Sequence, residues 1–196
     1  ASEGIRRITA PPTSECCLVA GRAGYLLDAR SNGSYLAANR LIDRGIPVVR
    51  LAAQTAVGCG RTLPPGSFYV PGGKTTDEVC GEMARRDGVE FCPIAVEPDG
   101  RAQPFRRRRI GLYQRYWGGN MAEGWTRHML ESFGFPYRTI MDEPFHANRL
   151  GDEVDVLILP DDRPEMIIGP GRPGGKGAAA AARFTVPPEY QSGIGE

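Results

Sequence analysis

The hydrophobic pattern of the first half of the chain changes from a strand period to a helix period and back. Strands are predicted over residues 25–28 and over residues 46–51, where β-branched side chains prevail. Between them, apolar side chains recur on one helical face, at Tyr35, Ala38, Leu41 and Ile42. Residues 31–34 offer capping side chains for this helix, and Gly45 is typical of its end. The pattern predicts one β-α-β unit.

Another strand and another helix follow in the first half. Residues 67–70 predict a short strand, and the proline and glycine around it favour a place near a sheet edge. A helix is predicted over residues 75–86, capped by one of its two initial threonines. Its inward face carries Val79 and Met83, and Gly88 follows its end.

The second half shows a cleaner pattern of strand, helix and strand. Strands are predicted over residues 110–113 and 137–140, with a helix over residues 121–133 between them and Gly134 as its stop. Asn120 followed by Glu123 has the spacing of a capping box. One apolar face of this helix is predicted to pack inward, with Trp125, Met129, Leu130 and Phe133.

A continuous apolar run over residues 154–159 is typical of a parallel strand that is buried on both faces. Strands that alternate with helices in this way indicate an α/β fold with an open, mostly parallel sheet. Ligands of such sheets bind beyond the carboxyl ends of the strands, here near residues 114–120 and 160–163. The candidate ligand-pocket residues in these segments are Gln114, Tyr116, Trp117, Asn120 and Asp161.

The composition narrows the classes of function. The chain has 196 residues and a formal net charge of +1, so bulk charge gives no support for a nucleic-acid or membrane partner. Four consecutive arginines, residues 106–109, lead directly into a predicted strand, and we interpret them as a solvated strand start. No apolar stretch approaches the roughly 20 residues of a membrane span, and no signal peptide is visible.

Three local patterns resemble chemical sites without completing one. His128 and Glu131 form a His-x-x-Glu pair, but a zinc site needs a third protein ligand, so we interpret them as an outward polar pair. The five cysteines lack Cys-x-x-Cys spacing and indicate free or buried structural thiols. Residues 169–182 fail the Walker pattern at Pro170 and Gly177, which favours a flexible loop. No catalytic or metal-binding residue is predicted.

A resemblance to a known family rests on three stretches between residues 88 and 162. They are VEFCPI, IGLYQRYWGGNMAEGWTRHMLESFGFPYRTI and VDVLILPDD, and the ending VPPEYQSGIGE fits the same region. These stretches resemble the region downstream of the catalytic domain in bacterial zinc carboxypeptidases, of the carboxypeptidase A-like metallopeptidase class. That region is similar to class I glutamine amidotransferase-like domains. The resemblance implies a flavodoxin-like layer sandwich.

The resemblance also implies a non-catalytic accessory role. In the family the zinc ligands lie upstream, so no cofactor is expected in this chain and zinc is expected in the upstream peptidase domain. That domain of the same polypeptide is the implied partner, and an extracellular or periplasmic location is implied. In the family a further helix and strands follow the final motif. We therefore expect a fragment whose sheet is incomplete at the C-terminus, with an exposed edge through which the chain self-associates.

The predicted organisation has three parts. A first β-α-β part spans residues 1–96, a linker or long turn spans residues 97–109, and a second, truncated β-α-β part spans residues 110–196. Two alternatives to the accessory role remain open. A stand-alone amidotransferase-like enzyme would need a reactive cysteine of low pKa at a strand-to-helix turn. A small-ligand binding module would use the candidate pocket.

Overall fold

A computed structural model describes residues 20–57, 61–99, 102–115, 120–168 and 193–194. The chain divides into two compact units, residues 1–105 and residues 106–196. The described elements of the first unit are β1 (Gly24–Leu27), α1 (Asn32–Asp43), β2 (Val49–Leu51), β3 (Thr55–Ala56), β4 (Thr62–Leu63), β5 (Phe68–Pro71), α2 (Lys74–Asp87), β6 (Cys92–Ile94) and β7 (Ala102–Pro104).

The first unit is built on a five-stranded sheet in the order β6-β1-β5-β2-β7. Every pairing in it is antiparallel, because β1 pairs with β5 and β6, and β2 pairs with β5 and β7. β1 and β2 therefore run in the same direction, but β5 separates them. The parallel sheet predicted for this half is wrong, because the chain returns through β5 into the gap between the two strands.

The prolines of this sheet are compatible with its strand order. β5 is the central strand, so its predicted position near an edge is wrong. Its proline, Pro71, is the last residue of the strand, where a missing N–H leaves the interior of the ladder intact. Pro93 and Pro104 lie in β6 and β7, which are the two edge strands. β7 lies within residues 97–109, the segment that was predicted as a linker or long turn.

Both faces of this sheet are buried, as the two-residue period of a strand allows. One face packs under α1 and α2 through Tyr25, Leu27, Phe68 and Val70. Val79 and Met83 of α2 belong to the same apolar cluster, which confirms their predicted inward position. The opposite face contributes a smaller cluster of Leu26, Leu51, Leu63 and Tyr69.

The second unit is built on a three-stranded parallel sheet. Its described elements are β8 (Ile110–Tyr113), α3 (Met121–Ser132), β9 (Tyr137–Ile140), α4 (Glu143–His146), α5 (Leu150–Glu153), β10 (Val156–Ile158) and α6 (Pro164–Ile167). The strand order is β10-β8-β9, and both pairings are parallel. β8 and β9 have the predicted bounds. The protein is therefore of mixed α/β class, and it contains a parallel sheet.

β10 differs from the strand predicted over residues 154–159. It is shorter, and among the described residues it pairs with β8 alone, so it forms an edge of the sheet. Val156 and Leu159 are exposed, and the predicted burial on both faces is wrong. An edge strand has no neighbour to cover it on its outer side.

α3 exposes three of its apolar residues, whereas Leu130 and Phe133 at its end are half-buried. Met121, Trp125 and Met129 are 81%, 63% and 51% exposed, whereas Glu123 is only 8% exposed. The prediction that Trp125 and Met129 pack inward is therefore wrong, although the helix itself and its stop at Gly134, with φ of 67°, are confirmed. The helix is amphipathic, but its polar side faces the protein.

Gly111 in β8 has no room for a side chain. A Cβ at this position would lie 2.7 Å from Ile140 Cγ1 and 2.8 Å from Val154 Cγ1. We expect Gly111→Ala to lower the free energy of unfolding by about 1–3 kcal/mol, because overpacking displaces neighbouring side chains. Urea unfolding followed by circular dichroism measures this change.

Gly124 in α3 provides the matched control, because a Cβ there meets nothing within 4 Å. Gly124→Ala is expected to raise the free energy of unfolding by about 0.5–1 kcal/mol through helix propensity alone. Equal stability of Gly111→Ala and the wild type would contradict the close packing around β8.

Candidate functional site

The carboxyl ends of β8 and β10 border a cleft in the second unit. The chain passes from β8 through α3 to β9 on one side, and β10 then pairs with β8 on the other side. The strand order reverses between β8 and β10, which is where open parallel sheets leave a crevice for ligands. The cleft lies at this point and is lined by Tyr113, Gln114, Arg115, Asn120, Glu123 and Asp162.

The candidate pocket residues divide into three groups. Gln114 and Asn120 line the cleft. Asp161 has an exposed side chain, and it contributes its backbone carbonyl, which accepts a hydrogen bond from Asn120 Nδ2 at 3.0 Å. Tyr116 and Trp117 lie outside the described residues.

Asn120 links the start of α3 to the end of β10. Its Oδ1 accepts hydrogen bonds from the backbone N–H groups of Ala122 at 2.8 Å and Glu123 at 3.4 Å, which confirms the predicted N-cap. Its Nδ2 donates to Asp162 Oδ2 at 2.8 Å. One amide side chain therefore caps the helix and also holds the segment that follows β10.

Arg115 and Asp162 form an ion pair across the cleft. Arg115 Nε lies 3.1 Å from Asp162 Oδ2, which is the oxygen that also accepts from Asn120. Nε is enclosed, and it makes no hydrogen bond with any described residue, so the contact is electrostatic only. The positive and negative groups of the cleft are thus directed at each other.

The cleft is nearly filled by its own side chains. Its enclosed volume is about 10 Å³, close to the space that one water molecule needs. Pockets for small molecules usually measure about 300–1,000 Å³. Pro160 and Ile167 supply the apolar part of the wall. Among the described residues, the cleft has room for about one water molecule.

Glu123 explains why the polar side of α3 faces the sheet. Its carboxylate pairs with Arg127 one helical turn later. Arg127 Nη1 also donates to Tyr137 Oη at 2.9 Å and to Thr139 Oγ1 at 3.3 Å, both in β9. Tyr137 and Thr139 are two residues apart and so lie on one face of the strand. The sheet surface under α3 offers polar partners, and the charged side of the helix binds to them.

A second buried polar contact lies where β8 and β9 end. Tyr113 Oη donates a hydrogen bond to Asp142 Oδ1 at 2.8 Å, and both residues are buried. Burial raises the pKa of Asp142, and the hydrogen bond from Tyr113 opposes this effect. Burial also raises the pKa of Tyr113. A hydrogen bond from the neutral phenol of Tyr113 to the carboxyl group of Asp142 thus connects the ends of β8 and β9.

The sequence prediction missed Arg115, Glu123 and Asp162 as cleft residues. Arg115 and Asp162 follow two separate strands, and their opposite charges at the same sheet edge are a signal that could have paired them. Glu123 was predicted only as a capping-box partner. The side chain that accepts from the helix N–H groups is that of Asn120, and Glu123 is paired with Arg127 instead.

The other sequence candidates have ordinary structural partners. The rings of His128 and Trp125 meet edge to face, with centroids 5.9 Å apart, and Glu131 Oε1 accepts from Tyr137 Oη at 2.6 Å. His128 and Glu131 are both exposed, as predicted for an outward pair. Arg109, the last of the arginine run, contacts Asp155 Oδ1 through Nη2 at 2.8 Å and joins the starts of β8 and β10.

The described cysteines lack the environment of a nucleophile. Cys80 and Cys92 are free thiols, one buried inside α2 and one half-buried at the start of β6. Burial raises the pKa of Cys80 to about 12 and also raises the pKa of Cys92. Neither thiol lies at a strand-to-helix turn. Cys16, Cys17 and Cys59 lie outside the described residues.

Within the described ranges, no three His, Cys, Asp or Glu side chains converge closely enough to hold a metal ion. No described helix has the length and apolar character of a membrane span.

Comparison with protein-family models, with curated proteins and with solved structures finds no match to this chain.

The cap at Asn120 gives a stability prediction. We expect Asn120→Ala to lower the free energy of unfolding by about 1–2 kcal/mol, because both the cap and the bond to Asp162 are lost. Ser31, the N-cap of α1, makes no side-chain cap hydrogen bond, so Ser31→Ala is the control and is expected to cost less. Equal losses in urea unfolding would contradict the role given to Asn120.

The ion pair of Asp155 predicts a pH dependence. The hydrogen bond from Arg109 lowers the pKa of Asp155 from 3.8 to about 2. Because the pKa of Asp155 is lower in the folded chain, its ionised carboxylate stabilises the fold above pH ~4. This contribution to the free energy of unfolding is lost as the pH falls towards about 2. Asp155→Asn is therefore expected to show a shallower loss of stability between these pH values, measured by urea unfolding.

Asp152→Asn is the control, because Arg109 contacts the backbone carbonyl of Asp152, which the substitution keeps. An unchanged slope in Asp155→Asn would show that this ion pair contributes nothing to folding.

Proposed function

We propose that this chain is a non-catalytic, amidotransferase-like accessory region of a zinc carboxypeptidase-like protein, and that its second unit is a flavodoxin-like layer sandwich. One observation carries the non-catalytic part of the proposal. The cleft lies where such a sheet binds its ligands, yet Arg115 and Asn120 both contact Asp162 across it. Catalytic groups need free access to a substrate, and these groups are engaged within the protein.

The strand order supports the flavodoxin-like part of the proposal. β9, β8 and β10 are the second, first and third described strands of this unit, they are adjacent in that order, and both pairings are parallel. Doubly wound sheets of flavodoxin type begin with this order. The connection from β8 to β9 through α3 is the helical crossover that parallel neighbours require.

The accessory role follows from the resemblance of residues 88–162 to the region downstream of the peptidase domain. In that arrangement the zinc and the water that it activates belong to the upstream domain. This chain would pack on that domain or present substrate to it. The full-length protein would then hydrolyse C-terminal residues of peptides.

The two alternatives have unequal support. A stand-alone amidotransferase-like enzyme needs a thiol of low pKa, and the pKa of each described thiol, Cys80 and Cys92, is raised. A small-ligand module is favoured by the location of the cleft at the reversal of strand order, whereas the small volume of the cleft argues against it. The accessory role needs neither feature.

Metal content and peptidase activity test this proposal. The purified chain is compared with a longer protein that carries the expected upstream domain. The zinc content per chain is measured by elemental mass spectrometry, and carboxypeptidase activity is measured as the release of C-terminal residues from peptides. We expect the longer protein to hold one zinc ion per chain and to cleave, and the short chain to do neither.

A His128→Ala variant tests whether the short chain binds zinc through His128, and His146→Ala is its control. If the short chain bound one zinc ion and lost it through His128→Ala but not through His146→Ala, the accessory role would be contradicted. Cleavage by the short chain alone would contradict it as well.

A further inference from the structure

Three exposed apolar side chains follow one another along α3, and we call them the α3 stripe: Met121, Trp125 and Met129. We propose that the α3 stripe is the interface of a homodimer, in which two α3 helices pack antiparallel around a two-fold axis at Trp125. The proposal concerns this chain alone and does not depend on the accessory role.

The order of residues in the stripe is the same from either end. Met121 and Met129 each lie four residues from Trp125, so a two-fold axis at Trp125 places Met121 of one copy against Met129 of the other. Residues four apart lie along one ridge of a helix, and ridges of this kind interlock in the commonest class of helix pairs. The stripe is thus complementary to a second copy of itself.

Charge supports the antiparallel arrangement. The stripe itself contains no charged side chain, as the centre of a protein interface usually requires. The charged residues Glu123 and Arg127 are paired with each other on the opposite side of the helix. In an antiparallel pair, the positive end of each helix dipole lies beside the negative end of its partner, which is favourable.

Trp125 has the properties of an anchor residue. Its side chain is 63% exposed, and its ring meets the ring of His128 edge to face, with centroids 5.9 Å apart. Tryptophan is enriched among the residues that contribute most to protein interfaces. His128 and Glu131 are exposed beside the stripe and supply a polar rim.

The area of the stripe is typical of a weak, transient interface. Three side chains with these exposed fractions give on the order of 400 Å² per copy, about half of the ~800 Å² that each partner buries in a standard interface. The dimer is therefore weak and dissociates on dilution. The exposed edge at β10 is a separate surface, and pairing through it is an outcome that the experiment distinguishes.

Sedimentation velocity of residues 1–196 over a range of protein concentrations is the first measurement. We expect a reversible monomer–dimer equilibrium with a dissociation constant in the micromolar range. Trp125→Ala is expected to weaken it at least about 30-fold, the loss typical of an anchor residue. Because Trp125 is exposed, truncation leaves no cavity and the monomer stays folded, which circular dichroism checks.

A charge exchange tests the antiparallel register. Met121→Glu and Met129→Lys are each expected to weaken the dimer at least about tenfold, since each places a charge against a methionine. A mixture of the two variants is expected to restore association, because Glu at 121 then faces Lys at 129 of the other copy. Within one copy, residues 121 and 129 are eight positions apart along the helix, so their side chains cannot pair with each other.

Two controls separate this interface from other surfaces. Val96→Ala alters an exposed apolar side chain of the first unit and is expected to leave the equilibrium unchanged. Val156→Lys places a charge on the exposed edge strand β10 and is also expected to leave it unchanged.

A wild-type chain that stays monomeric at all concentrations would overturn the proposal. Association that Val156→Lys abolishes and Trp125→Ala leaves intact would overturn it in favour of the sheet edge. Failure of the mixed variants to associate, with both monomers folded, would overturn the antiparallel register.

Discussion

The second unit depends on the contact between the charged side of α3 and the polar surface of β9. Glu123 and Arg127 form an ion pair that is mostly enclosed, and Arg127 extends it to Tyr137 and Thr139. Removing one partner of such a pair leaves an uncompensated charge, which costs more than the pair itself contributes. The contact therefore fixes which way α3 faces, and the exposure of Trp125 follows from it.

The same contact shapes the cleft. Glu123 lines it from the helix side, while Asn120 caps the helix and holds Asp162 at the end of β10. The positions that a parallel sheet offers to a ligand are thus used to join α3 to the sheet. The charged groups of this cleft are paired with each other, whereas Met121, Trp125 and Met129 of α3 are exposed.

Local structure was predictable from the sequence, whereas orientation and strand pairing were not. β8, β9 and the cap at Asn120 depend on residues a few positions apart, and all three were predicted with the observed bounds. The period of α3 revealed an amphipathic helix, but an apolar stripe faces inward only where the surface beneath it is apolar. That surface is β9, whose Tyr137 and Thr139 carry the polar groups that bind Arg127.

Strand pairing and the residues of the cleft could not be predicted from neighbouring positions, because both depend on segments that are far apart in the sequence. β5 was expected near an edge because proline and glycine bound it, yet it lies between β1 and β2, where only the partner strands decide the order. In the cleft, Gln114 and Asn120 were predicted from the rule for strand ends. Arg115 and Asp162 were missed because they approach each other only after β10 has paired with β8.

Oxidation of the methionines by dilute hydrogen peroxide, mapped by mass spectrometry, tests the orientation of α3 most directly. At a protein concentration low enough to favour monomers, Met121 and Met129 are predicted to oxidise nearly as fast as in the unfolded chain. Met83, which is 2% exposed, is predicted to be protected. Protection of Met121 and Met129 equal to that of Met83 would show that the apolar side of α3 faces the protein, which would contradict this account.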